Sequence, residues 1–218
     1  MLKKSSPCRA PKKKQSDQPR PAVFLDRDGT IVEEKGYANH ISRLEIFPYS
    51  ARSIRRLNRA GLPVIVVTNQ SGIARDFFPE SLVVQIHKTL KQQLARAGAR
   101  IDDFYYCPHI RDDQCDCRKP LPGMLNRAAH EHHLDLTRSV VVSDRFDDIH
   151  MGQQVGCYTI LVLTGYGAGE HQWHRKKWER QPDHVVKNLE EAVKMILKHQ
   201  PHGTAVTKTT KKIRKAQP

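Results

Sequence analysis

Residues 22–30 read AVFLDRDGT, a short apolar run that ends in two aspartates two positions apart. Because residues two apart in an extended chain point the same way, Asp26 and Asp28 can address one site, and Gly29 permits a sharp turn after it. Two carboxylates this close repel each other unless a cation lies between them, and Mg²⁺ prefers such hard oxygen ligands. An aspartate can also attack phosphorus and form an acyl phosphate. The stretch therefore predicts a strand that carries a magnesium site at its carboxyl end.

Apolar runs of strand type alternate with helical patterns along the rest of the chain. This alternation predicts an α/β fold with a doubly wound, mainly parallel sheet and helices on both faces. Strands are predicted at residues 22–26, 62–68, 103–106, 139–143 and, last, 159–163. Helices are predicted at residues 50–60, 79–97, 123–133, 148–156 and 189–199. Residues 165–169 (GYGAG) lack the strand and helix that a phosphate-binding loop needs, so we interpret them as a turn.

Polar side chains follow two further predicted strands at the point where each ends. Thr68 and Asn69 come after the run VIVV, and Ser143 and Asp144 come after VVV. Ligands of open α/β sheets bind beyond the carboxyl ends of the strands. We therefore expect these groups to meet the aspartates of residues 22–30, with Asp144 as a further magnesium ligand.

One segment has the composition of a closed zinc site. Its pattern C-x-H-x₅-C-x-C supplies three thiolates and one imidazole, which match tetrahedral zinc with no position left for a catalytic water: Cys107, His109, Cys115 and Cys117. The segment leads directly into residues 118–120 (RKP), so we expect structural zinc to fix the approach of Arg118 and Lys119 to the site.

The positive charge of the chain is concentrated at its ends. The formal net charge is +14, of which residues 1–20 carry +6 and residues 201–218 carry +5. We interpret these two segments as disordered basic tails that bind polyanions weakly at most, around one domain at residues 21–200. There is no long apolar run and no secretory signal pattern, so we expect a soluble, cytoplasmic protein, and we expect a monomer.

Four motifs in one order resemble those of the haloacid dehalogenase superfamily of phosphatases. They are DRDGT (26–30), TNQSG (68–72), RKP (118–120) and SD-x₃-D (143–148), and the resemblance spans residues 22–165. It implies a Rossmann-like fold without a large cap domain and a Mg²⁺-dependent phosphatase.

The resemblance also implies roles for single residues. Asp26 falls on the nucleophile and Asp28 on the general acid and base. Thr68 and Lys119 fall on the groups that stabilise the transferring phosphoryl group. Asp144 falls on a magnesium ligand beside Asp26 and the main-chain carbonyl of Asp28.

Within the superfamily, CPH…CDCRKP together with TNQSGIAR resembles the heptose bisphosphate phosphatases. That implies a sugar phosphate substrate, cleavage of the 7-phosphate, and contacts with the substrate from Glu34, Lys35, Gly36, Tyr37, Asn69, Gln70, Ser71, Arg118 and Arg145. The short zinc loop and Arg145 are instead typical of histidinol-phosphate phosphatases, which stay open as an alternative. Less favoured are a phosphatase acting on nucleic-acid 3′ ends, suggested by the basic tails, and a binding module without catalysis.

Overall fold

The computed structural model describes residues 18–199, and a single six-stranded sheet forms the centre of this region. All neighbouring strands are parallel, and their order in the sheet is β3-β2-β1-β4-β5-β6. The strands are β1 (Val23–Leu25), β2 (Val64–Asn69), β3 (Asp103–Cys107), β4 (Val140–Ser143), β5 (Tyr158–Val162) and β6 (His184–Val186). The predicted doubly wound parallel fold is confirmed.

Successive residues of each central strand bury their side chains on opposite faces of the sheet. In β1, Val23 and Leu25 join one apolar cluster and Phe24 joins the other. The same alternation holds in β2, where Val64 and Val66 face one side. Burial on both faces explains why these strands are continuous apolar runs rather than alternating ones.

Five helices cover the two faces of the sheet. They are α1 (Ser50–Arg59), α2 (Glu80–Arg96), α3 (Gly123–His132), α4 (Phe146–Gln154) and α5 (Leu189–His199). Helices α1, α2 and α5 contribute to the cluster on one face, and α3 and α4 contribute to the cluster on the other. Each lies within a few residues of its predicted position, because each carries an apolar stripe at helical spacing.

The chain after β5 differs from the prediction. Residues 167–177 form short helical turns, and the three-residue strand β6 then adds to the edge of the sheet. The strand predicted at residues 159–163 is present as β5, but the prediction that it is the last strand is wrong. Of the three residues of β6 only Val186 is buried. The strand therefore lacks the long apolar run from which the other strands were predicted.

Residue 20, which we assigned to the amino-terminal tail, belongs to the folded body. The Arg20 amide donates to the His133 carbonyl, and the Arg20 carbonyl accepts from the Asp135 amide. The remainder of the two predicted tails, residues 1–17 and 201–218, lies outside the described residues.

The connections at the carboxyl edge of the sheet are short. Residues 26–49 join β1 to α1 as a loop with one helical turn (Ile41–Arg43), and residues 70–79 join β2 to α2. No large cap domain is inserted within residues 18–199, as expected. No helix in this region combines the length and the apolar character that crossing a bilayer requires.

Candidate active site

A polar cleft of about 180 Å³ opens at the carboxyl edge of the sheet, beside the ends of β1 and β4. These two strands are neighbours, but the chain passes through β2 and β3 between them, so the crevice lies where the strand order reverses. Its walls are formed by Asp26, Asp28, Glu34, Thr68, Asn69, Arg118, Lys119, Arg145, Asp147 and Asp148.

A buried lysine joins two carboxylates at the floor of this cleft. Lys119 Nζ lies 2.9 Å from Asp26 Oδ1 and 2.5 Å from Asp148 Oδ1. Burial lowers the pKa of Lys119, but Asp148 and Asp26 raise it by more, so the pKa is raised and the ammonium group stays charged. Residues from β1, the loop after the zinc ligands, and α4 thus meet within one hydrogen-bonded group.

Asp28 is held from the side opposite the cleft by a fully buried arginine. Arg27 donates to both carboxylate oxygens of Asp28, at 3.1 and 2.8 Å, and Gln70 Nε2 adds a third bond at 3.2 Å. Arg27 Nη1 also lies 3.2 Å from His87 Nε2. Since arginine can only donate, His87 accepts with a neutral ring. Burial, and then the charge of Arg27, lower the pKa of His87 to about 3, which keeps the ring neutral.

Asp144 presents one carboxylate oxygen that no group of the described residues satisfies. Its Oδ2 accepts from the Tyr166 amide at 2.8 Å, whereas its Oδ1 is buried and has no hydrogen-bond partner within residues 18–199. Burial, followed by the charge of Asp26, raises the pKa of Asp144 to about 8. A divalent cation would reverse this shift and satisfy the orphaned oxygen, so the residues present fit Mg²⁺.

Two glycines make room for this carboxylate. A Cβ at Gly29 or at Gly165 would overlap Asp144 Oδ2, and both glycines have positive φ angles, +75° and +53°. The chain therefore approaches Asp144 closely from two sides. Gly165 belongs to the segment that we interpreted as a simple turn, and it is in fact part of the wall around Asp144.

The four predicted zinc ligands converge beside the cleft. Their ligand atoms all lie within 4.8 Å of one another. The separations are 3.6 Å from Cys107 Sγ to His109 Nδ1, 3.7 Å from Cys107 Sγ to Cys115 Sγ, and 3.3 Å from His109 Nδ1 to Cys117 Sγ. Tetrahedral zinc, at about 2.3 Å from sulfur and about 2.0 Å from nitrogen, requires neighbouring ligand atoms about 3.5–3.8 Å apart. The cluster therefore fits zinc.

The loop that carries the four predicted zinc ligands continues into Lys119. Arg118 Nη1 donates to the His109 carbonyl at 2.8 Å, and the Lys119 amide donates to Asn69 Oδ1 at 3.2 Å. The loop and the end of β2 together fix the backbone that carries Lys119.

The structure brings most of the predicted site residues to the cleft, but not all of them. Lys35 forms an ion pair with Glu45 and, with Gly36, lines a different pocket. Tyr37 packs against Phe77, with ring centroids 4.8 Å apart. Gln70 contacts Thr68 and Asp28 from behind the cleft, and Ser71 is not among the residues of its wall. The roles of these residues in binding stay predictions.

Several residues of the site carry no role in the sequence analysis. Asp148 completes the motif SD-x₃-D, which was its only signal. Arg27 could have been noticed because it lies between the two aspartates in the sequence. Nothing in the sequence marks His87, 60 positions later, as its partner. Glu170 ion-pairs with Arg145 and was likewise not identified.

Comparison with known proteins agrees with this geometry. A family model described as HAD-hydrolase-like matches residues 116–192. A protein of Thermosynechococcus vestitus named D-glycero-D-manno-heptose-1,7-bisphosphate 7-phosphatase is 41% identical over 196 residues, which cover 83% of this chain and 97% of that protein. The chain belongs to the HAD-like hydrolase family. The membership that the four motifs predicted is confirmed.

Other HAD-like relatives carry closely similar names. The D-glycero-beta-D-manno-heptose-1,7-bisphosphate 7-phosphatase of Pasteurella multocida is 35% identical, over 80% of this chain and 96% of that protein. The solved D,D-heptose 1,7-bisphosphate phosphatase of B. bronchiseptica, complexed with magnesium and phosphate, has a TM-score of 0.76 and 31% identity. The structural match covers 83% of this chain and 99% of the B. bronchiseptica chain. As a member of this group of phosphatases, the chain is a phosphoric monoester hydrolase.

Proposed function

We propose that this HAD-like phosphatase removes the 7-phosphate of D-glycero-D-manno-heptose 1,7-bisphosphate through an aspartyl-phosphate at Asp26. The observation that carries the proposal is the buried group of Asp26, Lys119 and Asp148 at the strand-order reversal, in a chain whose relatives are named for this reaction. The partner of the site is thus a small sugar phosphate.

In the first step a carboxylate oxygen of Asp26 forms a bond to phosphorus while the bond from phosphorus to the sugar oxygen breaks. Asp28 gives a proton to the departing sugar oxygen. In the second step Asp28 takes a proton from water, whose oxygen attacks phosphorus, and inorganic phosphate leaves as the Asp26 carboxylate is restored. Arg27 and Gln70 hold Asp28 in place for both transfers.

Positive charge around the phosphoryl group lowers the barrier, because the transition state spreads negative charge over the phosphoryl oxygens. Lys119 provides such a charge, and the Thr68 hydroxyl adds a donor. Bound by Asp26, Asp144 and the Asp28 main-chain carbonyl, Mg²⁺ would neutralise further charge. The orphaned Asp144 Oδ1 supports this ligand set.

We assign a structural zinc ion to Cys107, His109, Cys115 and Cys117. All four coordination positions are filled by protein atoms, so the ion has no vacant site for chemistry. Its contribution is to hold a polar loop that packing alone does not hold, and with it the backbone of Arg118 and Lys119.

Recognition of the sugar is assigned to the rim of the cleft. Glu34, Asn69, Arg118 and Arg145 line it, and burial is the main cause of the raised pKa of Glu34. Lys35, Gly36, Tyr37, Gln70 and Ser71 do not line the cleft; they are neighbours of Glu34 and Asn69 in the sequence and complete the proposed binding set. We place the reaction in the cytoplasm and propose that the protein acts as a monomer.

A turnover screen tests the proposal. The purified protein is assayed with Mg²⁺ on heptose 1,7-bisphosphate, histidinol phosphate, fructose 1,6-bisphosphate and a 3′-phosphorylated DNA oligonucleotide. We expect the highest kcat/KM on the heptose bisphosphate and loss of turnover when Mg²⁺ is chelated. A clear preference for histidinol phosphate, which Arg145 and the short zinc loop would then explain, overturns the proposed substrate.

A further inference from the structure

Arg145 lies at the rim of the catalytic cleft with part of its guanidinium group unused. The residue follows Asp144 directly, lines the cleft, and has a side chain that is 42% exposed. Neither of its terminal nitrogens makes a hydrogen bond within residues 18–199. The outer edge of the guanidinium group is therefore available to a ligand in the cleft.

The inner part of the same guanidinium group is held firmly. Arg145 Nε lies 3.2 Å from Glu170 Oε1, and the Arg145 Cζ atom lies 4.5 Å from the centre of the Tyr166 ring. The other oxygen of Glu170 accepts from the Phe146 amide at 3.3 Å. Glu170 is thus shared between Arg145 and the first residue of α4, and only 19% of its side chain is exposed.

This arrangement favours binding of an anion. The edge formed by the two terminal nitrogens matches two oxygens of a phosphate, and a guanidinium group already fixed by Glu170 and Tyr166 loses less conformational entropy when it binds. Lys119 lies buried at the floor between Asp26 and Asp148, where the transferring phosphoryl group reacts. Arg145, at the mouth, can reach a different anionic group of the same substrate.

We propose that Glu170 is a positioning residue. It holds Arg145 so that the guanidinium group binds the second phosphate of a sugar bisphosphate, the one that is not transferred. The inference rests on the proposed function in taking a bisphosphate as substrate. It gives residues 165–170 a role in binding: this segment supplies the Tyr166 amide to Asp144 and the Tyr166 ring and Glu170 carboxylate to Arg145.

A double-mutant cycle tests the inference. Glu170→Gln keeps an acceptor for the Phe146 amide but removes the charge, Arg145→Ala removes the guanidinium group, and a third protein carries both changes. KM, kcat and the melting temperature are measured with heptose 1,7-bisphosphate and with heptose 7-phosphate. Glu190→Gln is the matched control, because Glu190 pairs with Arg52 at 2.7 Å on the surface of α5, away from the cleft.

For the bisphosphate, we expect Arg145→Ala to raise KM about 10-fold, as the loss of a charge-assisted phosphate contact does, with kcat within about threefold. Glu170→Gln should also raise the KM for the bisphosphate. The double variant should match Arg145→Ala, because Glu170 acts only through Arg145. For heptose 7-phosphate, which lacks the second phosphate, all these KM ratios should be close to one.

Other results overturn the inference. If the KM ratio of the double variant equals the product of the two single-variant ratios, Glu170 does not act through Arg145. If KM rises equally for both substrates, the contact is not with a second phosphate. A lower melting temperature with unchanged KM would show that Glu170 serves only the start of α4. If the wild type hydrolyses another bisphosphate but not the heptose, the proposed substrate is wrong and the cycle is measured on that compound. If it hydrolyses no bisphosphate, both are overturned.

Discussion

At the residue scale, the site depends on charges that are buried together. Lys119 is held between Asp26 and Asp148, and Asp28 is held by Arg27. Buried charges of this kind persist only because each has an opposite charge and hydrogen bonds, and breaking such a pair is costly. The pairs therefore fix Asp26, the proposed nucleophile, and Asp28, the proposed acid, before substrate binds, and positioning of this kind accounts for much of phosphoryl-transfer catalysis.

Asp148→Asn tests the role of the lysine pair. The substitution keeps the side-chain volume and one acceptor but removes a charge that holds Lys119, so we expect kcat to fall about 100-fold in a protein that is still folded. Steady-state kinetics and a melting curve measure this. Asp76→Asn, at an exposed position with a positive φ that asparagine tolerates, is the control. A kcat within about threefold of wild type would show that Asp148 does not support Lys119 in the reaction.

The sequence was sufficient to predict site residues that directly follow a strand. It was not sufficient to predict contacts between residues that are distant along the chain. Asp26, Thr68 and Asp144 each follow an apolar run, so their meeting follows from the parallel sheet. Arg27 contacts His87, 60 positions later, and Arg145 contacts Glu170, 25 positions later. No sequence pattern relates the elements that carry these partners. Only the packed structure shows which helix or loop lies beside each arginine.

At the scale of elements, the loop to which we assign zinc supports the segment that carries Lys119. Arg118 donates to the carbonyl of His109, a proposed zinc ligand, and the Lys119 amide donates to Asn69 at the end of β2. Loss of the ion should therefore affect catalysis although zinc takes no part in it. The spacing of the ligands was sufficient to predict their convergence, because all four lie within eleven residues.

Cys117→Ser tests this support. We expect one zinc per chain in the wild type and less in the variant, with kcat/KM at saturating Mg²⁺ reduced about 10-fold, as for a loosened catalytic group. Metal analysis by mass spectrometry and kinetics measure the two effects. Cys157→Ala, a buried cysteine outside the loop, should keep its zinc. Full zinc content in Cys117→Ser, or a wild type without zinc, would contradict the assignment.

The strands and helices illustrate where sequence patterns succeed. Helix α2 was predicted closely because its apolar residues recur at helical spacing, and strand β2 because it is a continuous run of β-branched apolar residues. Strand β6 was not, because a short edge strand with one buried residue needs no apolar run and is held by its pairing with β5. The helical turns of residues 167–177 were also not predicted, since the polar sequence has no apolar period and Glu170 contacts Arg145 and Phe146, which are distant in sequence.

At the scale of the whole molecule, the proposed catalytic residues gather at the carboxyl edge of one sheet whose two faces are covered by helices. The described residues 18–199 include every proposed catalytic and metal-binding residue. The segments on either side of them, residues 1–17 and 200–218, account for +10 of the net charge of +14. Their charge would add attraction to polyanions that depends on salt but not on sequence.

Removal of the two basic segments tests the proposed domain. A protein of residues 18–199 should hydrolyse heptose bisphosphate with a kcat/KM within about twofold of the full chain, because no proposed site residue is lost. The two proteins are compared at low and physiological salt. A loss confined to 3′-phosphorylated DNA would instead favour a nucleic-acid substrate, and a loss on both substrates would place part of the enzyme in the removed segments.

The proposed mechanism requires that the phosphoryl group pass through a covalent bond to Asp26. The direct measurement mixes enzyme, Mg²⁺ and heptose bisphosphate, quenches with acid within the first turnover, and locates the phosphoryl group by peptide mass spectrometry. We predict the mass of one phosphoryl group on the peptide that contains Asp26, and neither label nor turnover in a folded Asp26→Asn variant. A label on another residue, or sustained turnover by that variant, would contradict the account.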